Sequence, residues 1–145
     1  MKRFILSILL VAAAGALLSG CISFGGSSAK GWSERTLLVT GYCDCKKCTN
    51  WKRNWRGHAV VASGPSKGRH KDIGVTASGT YARRGTIAAD TSLYAFGTAM
   101  YIPGYGYGRV EDRGSAIKGD HIDLFFNTHQ QALDWGRQYK RVKIR

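Results

Sequence analysis

Nine acidic residues are spread along this 145-residue chain: Glu34, Asp44, Asp72, Asp90, Glu111, Asp112, Asp120, Asp123 and Asp134. Three of them lie in or beside apolar runs, where a free carboxylate is costly to bury. Asp90 closes Ile87-Ala88-Ala89-Asp90, Asp112 closes Arg109-Val110-Glu111-Asp112, and Asp123 stands inside Ile122-Asp123-Leu124-Phe125-Phe126. A carboxyl group desolvated beside aromatic walls titrates above its ordinary range and can act as a general acid near neutral pH. The competing assignment is that each accepts hydrogen bonds from turn backbone, a common use of aspartate. Spacing alone favours that second assignment for any one of the three.

A second set of reactive side chains is Cys43, Cys45 and Cys48, in the pattern Cys-x-Cys-x-x-Cys. With an odd number, disulfides within the chain leave one thiol over. One arrangement bridges Cys43 to Cys48 and leaves Cys45 to pair between chains. The other is a metal clip of three thiolates and a histidine such as His58 or His70. Zinc-ribbon spacing calls for a second cysteine pair, which the sequence lacks. No clear Cys-His-Asn set suggests itself, so a nucleophilic thiol is not expected.

The N-terminus bears on that choice. Lys2 and Arg3 precede an apolar run from Phe4 to Leu18, interrupted only by Ser7, and the exit reads Leu18-Ser19-Gly20-Cys21. This follows the plan of a secretory signal and resembles the lipobox of bacterial lipoproteins. The run is short for a transmembrane helix, which needs roughly 20 apolar residues. The resemblance implies a signal peptide over 1–20 and lipidation of Cys21. Residues 21–33 then make a flexible tether, with Ile22 to Lys30 rich in glycine and serine. Ile22 stands where an inner-membrane retention signal would have aspartate. The expected location is therefore the periplasmic face of the outer membrane, or the outer face of the plasma membrane in a cell without one. Such a compartment is oxidising, which favours the disulfide over the metal. A structural role for Cys43, Cys45 and Cys48 is thus expected, with no metal and no cofactor.

Charge narrows the partner. Lysine and arginine number 22 against 9 acidic residues, a net charge of +13. Loss of Lys2 and Arg3 leaves 20 against 9, or about +11. That surplus implies an anionic partner. Outside the cytoplasm the candidates are lipid head groups, envelope phosphates and the carboxylates of peptidoglycan stems, rather than nucleic acid. The alternative is that surplus lysine and arginine only keep the surface solvated.

The elements that must position these groups are short. Nineteen glycines, two prolines and brief apolar bursts suit many strands joined by tight turns. Strands are expected at Thr36–Cys43, His58–Ala62, Thr86–Ala89, Thr98–Ile102, Tyr107–Glu111, His121–Phe126 and Tyr139–Ile144. In the sixth, alternation puts Asp123 and Phe125 on one face and Ile122, Leu124 and Phe126 on the other. One helix is expected after Thr128, with Gln131 completing a capping box, Ala132, Leu133 and Trp135 forming the apolar stripe, and Gly136 ending it. About seven strands and one late helix favour a small barrel, which leaves no exposed edges. Asn50 to Lys71 is basic and polar, with no clear period apart from its short strand, and reads as an insertion.

From Gly74 onward the chain resembles the three-aspartate, or 3D, domain of bacterial cell-wall proteins. The matching pieces include Thr76-Ala77-Ser78-Gly79, Gly85-Thr86-Ile87-Ala88-Ala89-Asp90, Phe96-Gly97-Thr98, Tyr101-Ile102-Pro103-Gly104-Tyr105-Gly106, Glu111-Asp112-Arg113-Gly114-Ser115-Ala116-Ile117-Lys118-Gly119, Ile122-Asp123-Leu124-Phe125-Phe126 and Ala132-Leu133-Asp134-Trp135-Gly136. Ser115 replaces the second glycine usual in its stretch, which makes that loop less permissive.

The resemblance extends to the catalytic part of the membrane-bound lytic transglycosylase A family. It implies a mainly β fold, a small six-stranded double-psi β-barrel over 34–145 with one short C-terminal helix and a cysteine-containing basic insertion around 43–71. It also implies cleavage of the MurNAc–GlcNAc β-1,4 bond without water, Asp123 being the catalytic acid and Asp112 and Asp90 setting its hydrogen bonding and charge. In that scheme Asp123 protonates the leaving oxygen, then takes the proton of the sugar 6-hydroxyl as a 1,6-anhydro ring closes. Tyr101, Tyr105, Tyr107 and Phe125 are candidate sugar-stacking surfaces, although strand aromatics are more often core. Tyr105, Tyr107 and Lys118 are taken as the substrate-binding set. The alternative is a non-catalytic wall-binding or scaffolding lipoprotein using the same groove, as the related rare-lipoprotein-A barrels suggest. The chain lacks the extra domain with which larger transglycosylases wall their groove, and 50–71 is the only spare material for that task.

Overall fold

Alternating burial sorts the strands of this protein into two faces. Leu37, Val39, Ile87, Ala89, Met100, Ile102, Val110, Ile122, Leu124 and Val142 pack into one cluster sealed from solvent, and their strand neighbours turn outward. A two-residue period of this kind closes strands around a filled core. The computed structural model describes residues 31–145. The expected signal peptide of 1–20, the expected lipidation at Cys21 and most of the expected tether of 21–33 lie outside those residues. No helix among the described residues is long and apolar enough to cross a membrane.

In chain order the elements are β1 (Ser33–Tyr42), α1 (Lys46–Thr49), β2 (Trp51–Arg53), β3 (Ala59–Val61), β4 (Thr86–Ala89), β5 (Ala99–Ile102), β6 (Gly106–Asp112), β7 (His121–Phe125), α2 (His129–Trp135) and β8 (Gln138–Ile144). Six strands form a closed barrel, as expected, and their order around it is β1-β7-β4-β6-β5-β8. β1 pairs with β7 and β4 with β6 in parallel, and the remaining pairs are antiparallel. This mixed pairing is consistent with a double-psi barrel. Of the seven expected strands, the one near His58–Ala62 stays outside the barrel. It appears as β3 and pairs instead with β2, an unexpected strand, in a two-stranded ribbon.

Helix α2 begins as its sequence dictates. The Thr128 hydroxyl accepts from the Gln131 amide at 3.2 Å, and Gly136 ends the helix at φ 66°. Ala132 is buried against the barrel, and Trp135 packs on Tyr105 and Phe126.

Close packing also fixes one glycine. A Cβ at Gly108 would stand 2.6 Å from the Gly85 carbonyl oxygen and 2.8 Å from Ile87 Cδ1, so the β4–β6 approach requires its absence.

Candidate functional site

The pairing register builds one row across four strands. Thr40 on β1 pairs with Asp123 on β7, Asp123 pairs with Ala88 on β4, and Ala88 pairs with Asp112 on β6. Paired residues share a face, so the row lies on the outside of the barrel, opposite the sealed cluster. Two strand spacings put the Asp123 and Asp112 backbones roughly 9–10 Å apart. The small Ala88 side chain between them leaves the gap open.

Asp112 reaches this row through a β-bulge. Val110 pairs with Ile87, but the next residue of β4, Ala88, pairs with Asp112 rather than Glu111. Simple alternation from the buried Val110 would turn Glu111 toward the row and Asp112 away. The extra residue reverses that choice. Glu111 is taken up elsewhere, its carboxylate accepting from the Thr86 hydroxyl at 2.7 Å and lying 3.5 Å from Arg83 Nη2.

The two carboxyl groups have different surroundings. The Thr40 hydroxyl donates to Asp123 Oδ1 at 2.8 Å, and Thr40 Oγ1 lies 2.9 Å from His121 Nε2. A hydroxyl has one proton to give. While Thr40 donates to Asp123, its oxygen can only accept from His121, which places a proton on Nε2. Burial pushes the Asp123 carboxyl up to about 6; the Thr40 hydrogen bond opposes this and the Asp112 charge adds to it. Asp112 is held by three donors: the Tyr42 hydroxyl at 3.0 Å and the Ala77 and Arg113 amides at 2.9 Å each. Burial, then the Asp112 charge, raises the Tyr42 phenol far above its ordinary range, so Tyr42 stays a neutral donor.

Asp123 and Asp112 open into one cleft of about 360 Å³. Loop 113–117 forms one wall. Cys48, Thr49, Asn50, Val61 and Lys71, from α1 and the ribbon region, form the other. The basic insertion therefore supplies the wall that sequence reasoning could offer only as spare material.

The other expected site residues are scattered. Asp90 is absent from the cleft lining. It accepts from the Ser92 amide and hydroxyl and from the Gly119 amide at 3.0 Å, and these bonds, Gly119 foremost, hold its carboxyl down to about 2. It thereby ties the end of β4 to the loop forming the cleft wall, a positioning role. Lys118 is exposed beside a separate depression with Thr91, Arg113 and Ser115. Tyr107 is 73% exposed, in another depression with Trp32, Arg83 and Arg84. Tyr105 is a core residue rather than a ligand contact, because its hydroxyl is already engaged by the Gly85 amide and the Phe125 carbonyl, both at 2.8 Å. Phe125 is likewise buried, edge-on to Tyr42.

The expected Cys43–Cys48 disulfide is also corrected. Cys43 Sγ and Cys48 Sγ stand 3.8 Å apart with no bond between them, and neither His58 nor His70 joins the three cysteines. His70 bonds Asp72 instead, and His129 is the histidine beside the sulfurs.

Sequence reasoning missed Thr40, Tyr42 and His121 around the carboxyl groups. Thr40 and Tyr42 are two apart on β1, and His121 and Asp123 two apart on β7, so each pair shares a face. That spacing was the available signal.

Residues 85–145 match the 3D domain family. That match spans 61 of the 145 residues. The match is narrower than the resemblance traced from Gly74, and it contains Asp90, Asp112 and Asp123. Strand β1, with Thr40 and Tyr42, lies upstream of the match, although the barrel closes only through it.

Two Bacillus subtilis proteins are similar in sequence. YabE, named provisionally for cell wall shaping, is 41% identical over 58 residues, 40% of this chain and 14% of that protein. YocH, named a cell wall-binding protein, is 36% identical over 75 residues, 49% of this chain and 26% of that protein. The chain thus spans about a quarter or less of the curated relatives it matches. Among solved structures, the Escherichia coli lytic transglycosylase MltA is similar at 25% identity over 48% of this chain and 26% of that one. The TM-score is 0.41. Its complex with chitohexaose gives 23% identity at the same score. A score this low lends nothing to the reading of the 3D domain.

Proposed function

We propose that this protein is a peptidoglycan-active lipoprotein, anchored through Cys21 on the periplasmic face of the outer membrane or the outer face of the plasma membrane. Its reaction is lytic cleavage of the MurNAc–GlcNAc bond with a 1,6-anhydro product. The observation carrying this reading is the row Thr40–Asp123–Ala88–Asp112 at the cleft. One carboxyl group there is poised to be protonated near pH 6, and the other is held as an acceptor by three donors. The 3D domain and the cell-wall names of the relatives supply the substrate class.

Asp123 enters as the acid and protonates the glycosidic oxygen as the bond breaks. The resulting carboxylate, hydrogen-bonded by Thr40, then accepts the proton of the sugar 6-hydroxyl as that oxygen closes on the anomeric carbon. One group serves both proton transfers, so no second carboxylate is needed to activate water. Asp112 and Tyr42 orient the glycan, and the Asp112 charge adds to burial in keeping the Asp123 pKa raised. Lys71 and Arg113 at the cleft suit the carboxylates of peptide stems.

The second reading, a cell-wall binder using the same cleft, is favoured by the binding name of YocH. Digestion of purified sacculi by the detergent-solubilised full chain separates the two. Anhydro-muropeptides from the wild type and none from Asp123→Asn establish the lytic enzyme. Reducing-end products would indicate hydrolysis. Intact sacculi that retain the protein would refute cleavage and establish the binder.

A further inference from the structure

Three cysteines following β1 and in α1 converge with a histidine at the start of α2 that is remote from them in sequence. Cys43, Cys45, Cys48 and His129 each present one donor atom, and these atoms lie within 4.8 Å of one another. Cys43 Sγ is 3.8 Å from Cys48 Sγ. His129 Nδ1 is 3.9 Å from Cys43 Sγ, 3.6 Å from Cys45 Sγ and 3.4 Å from Cys48 Sγ.

These separations are those of a coordination shell. Zinc binds thiolate sulfur at about 2.3 Å and imidazole nitrogen at about 2.0–2.1 Å, with tetrahedral angles. The edges of such a tetrahedron are about 3.8 Å between sulfurs and about 3.6 Å from sulfur to nitrogen. All four measured edges fall within a few tenths of an ångström of those values. A single ion fits at the centre, and Cys3His is a closed structural set.

From this geometry we infer that Cys43, Cys45, Cys48 and His129 form a structural zinc site. It uses all three cysteines, which disulfides within one chain cannot do. Local backbone supports the arrangement: the Cys48 and Thr49 amides both donate to the Cys45 carbonyl, at 3.1 and 3.0 Å, turning the chain so that Cys45 and Cys48 face the same point. His129 is placed by α2, whose cap at Thr128 fixes where the helix starts. Three thiolates and a divalent ion leave one net negative charge, and Lys46 and Lys47 flank the ligands in sequence.

The site is a brace for the cleft. Cys43 directly follows Tyr42, the donor to Asp112, and Cys48 is part of the cleft wall. Zinc fastens this wall to α2, and α2 packs on the barrel. The ion supports the position of Tyr42 and the ribbon, and takes no part in proton transfer at Asp123.

The test uses the full chain, produced with zinc in the medium and purified under reducing conditions without chelator. Mass spectrometry of the metal content should give close to one zinc per chain. Cobalt(II) exchanged into the wild type should show the intense ligand-field bands of a tetrahedral site together with sulfur-to-cobalt charge transfer. His129→Ala and Cys48→Ser should lower zinc at least several-fold, whereas His70→Ala should retain it. A metal-free wild type with three freely reactive thiols would overturn the inference, as would a Cys43–Cys48 disulfide trapped in protein taken directly from the cell envelope. Iron in place of zinc would overturn the choice of metal. The wild-type measurements do not depend on whether a variant folds. An inactive protein with one zinc per chain would leave this site standing while refuting cleavage at Asp123.

Discussion

Replacing Asp123 by asparagine keeps the size of the side chain and the oxygen that accepts from Thr40, but removes the charge. In the folded protein the carboxyl group titrates near 6, against 3.8 for an unperturbed aspartate. A raised carboxyl pKa makes the native state bind more protons than the unfolded chain between those two values, so stability falls as pH rises through that window. The shift of about 2 units corresponds to ~3 kcal/mol, the cost of holding the carboxylate in its buried setting above pH 6. Asparagine never incurs that cost.

Asp123→Asn should therefore be more stable than the wild type by about 2–3 kcal/mol at pH 7.5, by about half that near pH 5, and by almost nothing below pH 4. Urea denaturation of both full chains at several pH values measures this, with stability taken from midpoint and slope. His121, whose pKa is lowered chiefly by burial, and the other cleft groups also titrate, but they are common to both proteins and largely cancel in the difference. Gain of stability with loss of activity is the expected mark of a charge kept for function. Equal stability of the two proteins at pH 7.5, or a difference that does not shrink on acidification, would refute the reasoning.

Two further outcomes follow from particular contacts. Thr40→Val removes the hydrogen bond that lowers the Asp123 pKa, so the pH at which Asp123 loses its proton should move upward, read from the carboxyl chemical shift or from the alkaline limb of activity. An unchanged titration would show that Thr40 does not tune the acid. Gly108→Ala brings a Cβ against the Gly85 carbonyl and Ile87 and should destabilise the barrel by about 1–3 kcal/mol, seen as a lower thermal midpoint; a neutral result would contradict the tight β4–β6 approach.

Much of the barrel is legible in the sequence because burial on one side of a strand writes itself as a two-residue period. His121–Phe125 shows it plainly: Ile122 and Leu124 face the core, Asp123 faces out, and alternation alone assigns those sides. The capped helix after Thr128 was legible for a similar reason, since its start signal is local. The aromatic residues read less well. Tyr105 and Tyr107 have the same residue type and stand two apart, yet one closes the core and the other faces solvent. The tight Pro103-Gly104-Tyr105-Gly106 turn breaks the strand period between them.

The sequence by itself determined that Asp123 stands alone among apolar neighbours, that Cys43, Cys45 and Cys48 recur at close spacing, and that short strands surround both. Tertiary structure decided what these groups meet. A one-residue bulge at Glu111 turns Asp112 rather than Glu111 toward Asp123, because an added residue reverses the side-chain alternation beyond it. Packing of α2 against the barrel brings His129 to cysteines more than eighty positions away, a contact that no local spacing encodes. Both depend on how separate segments register against one another, and that register exists only once the barrel has closed.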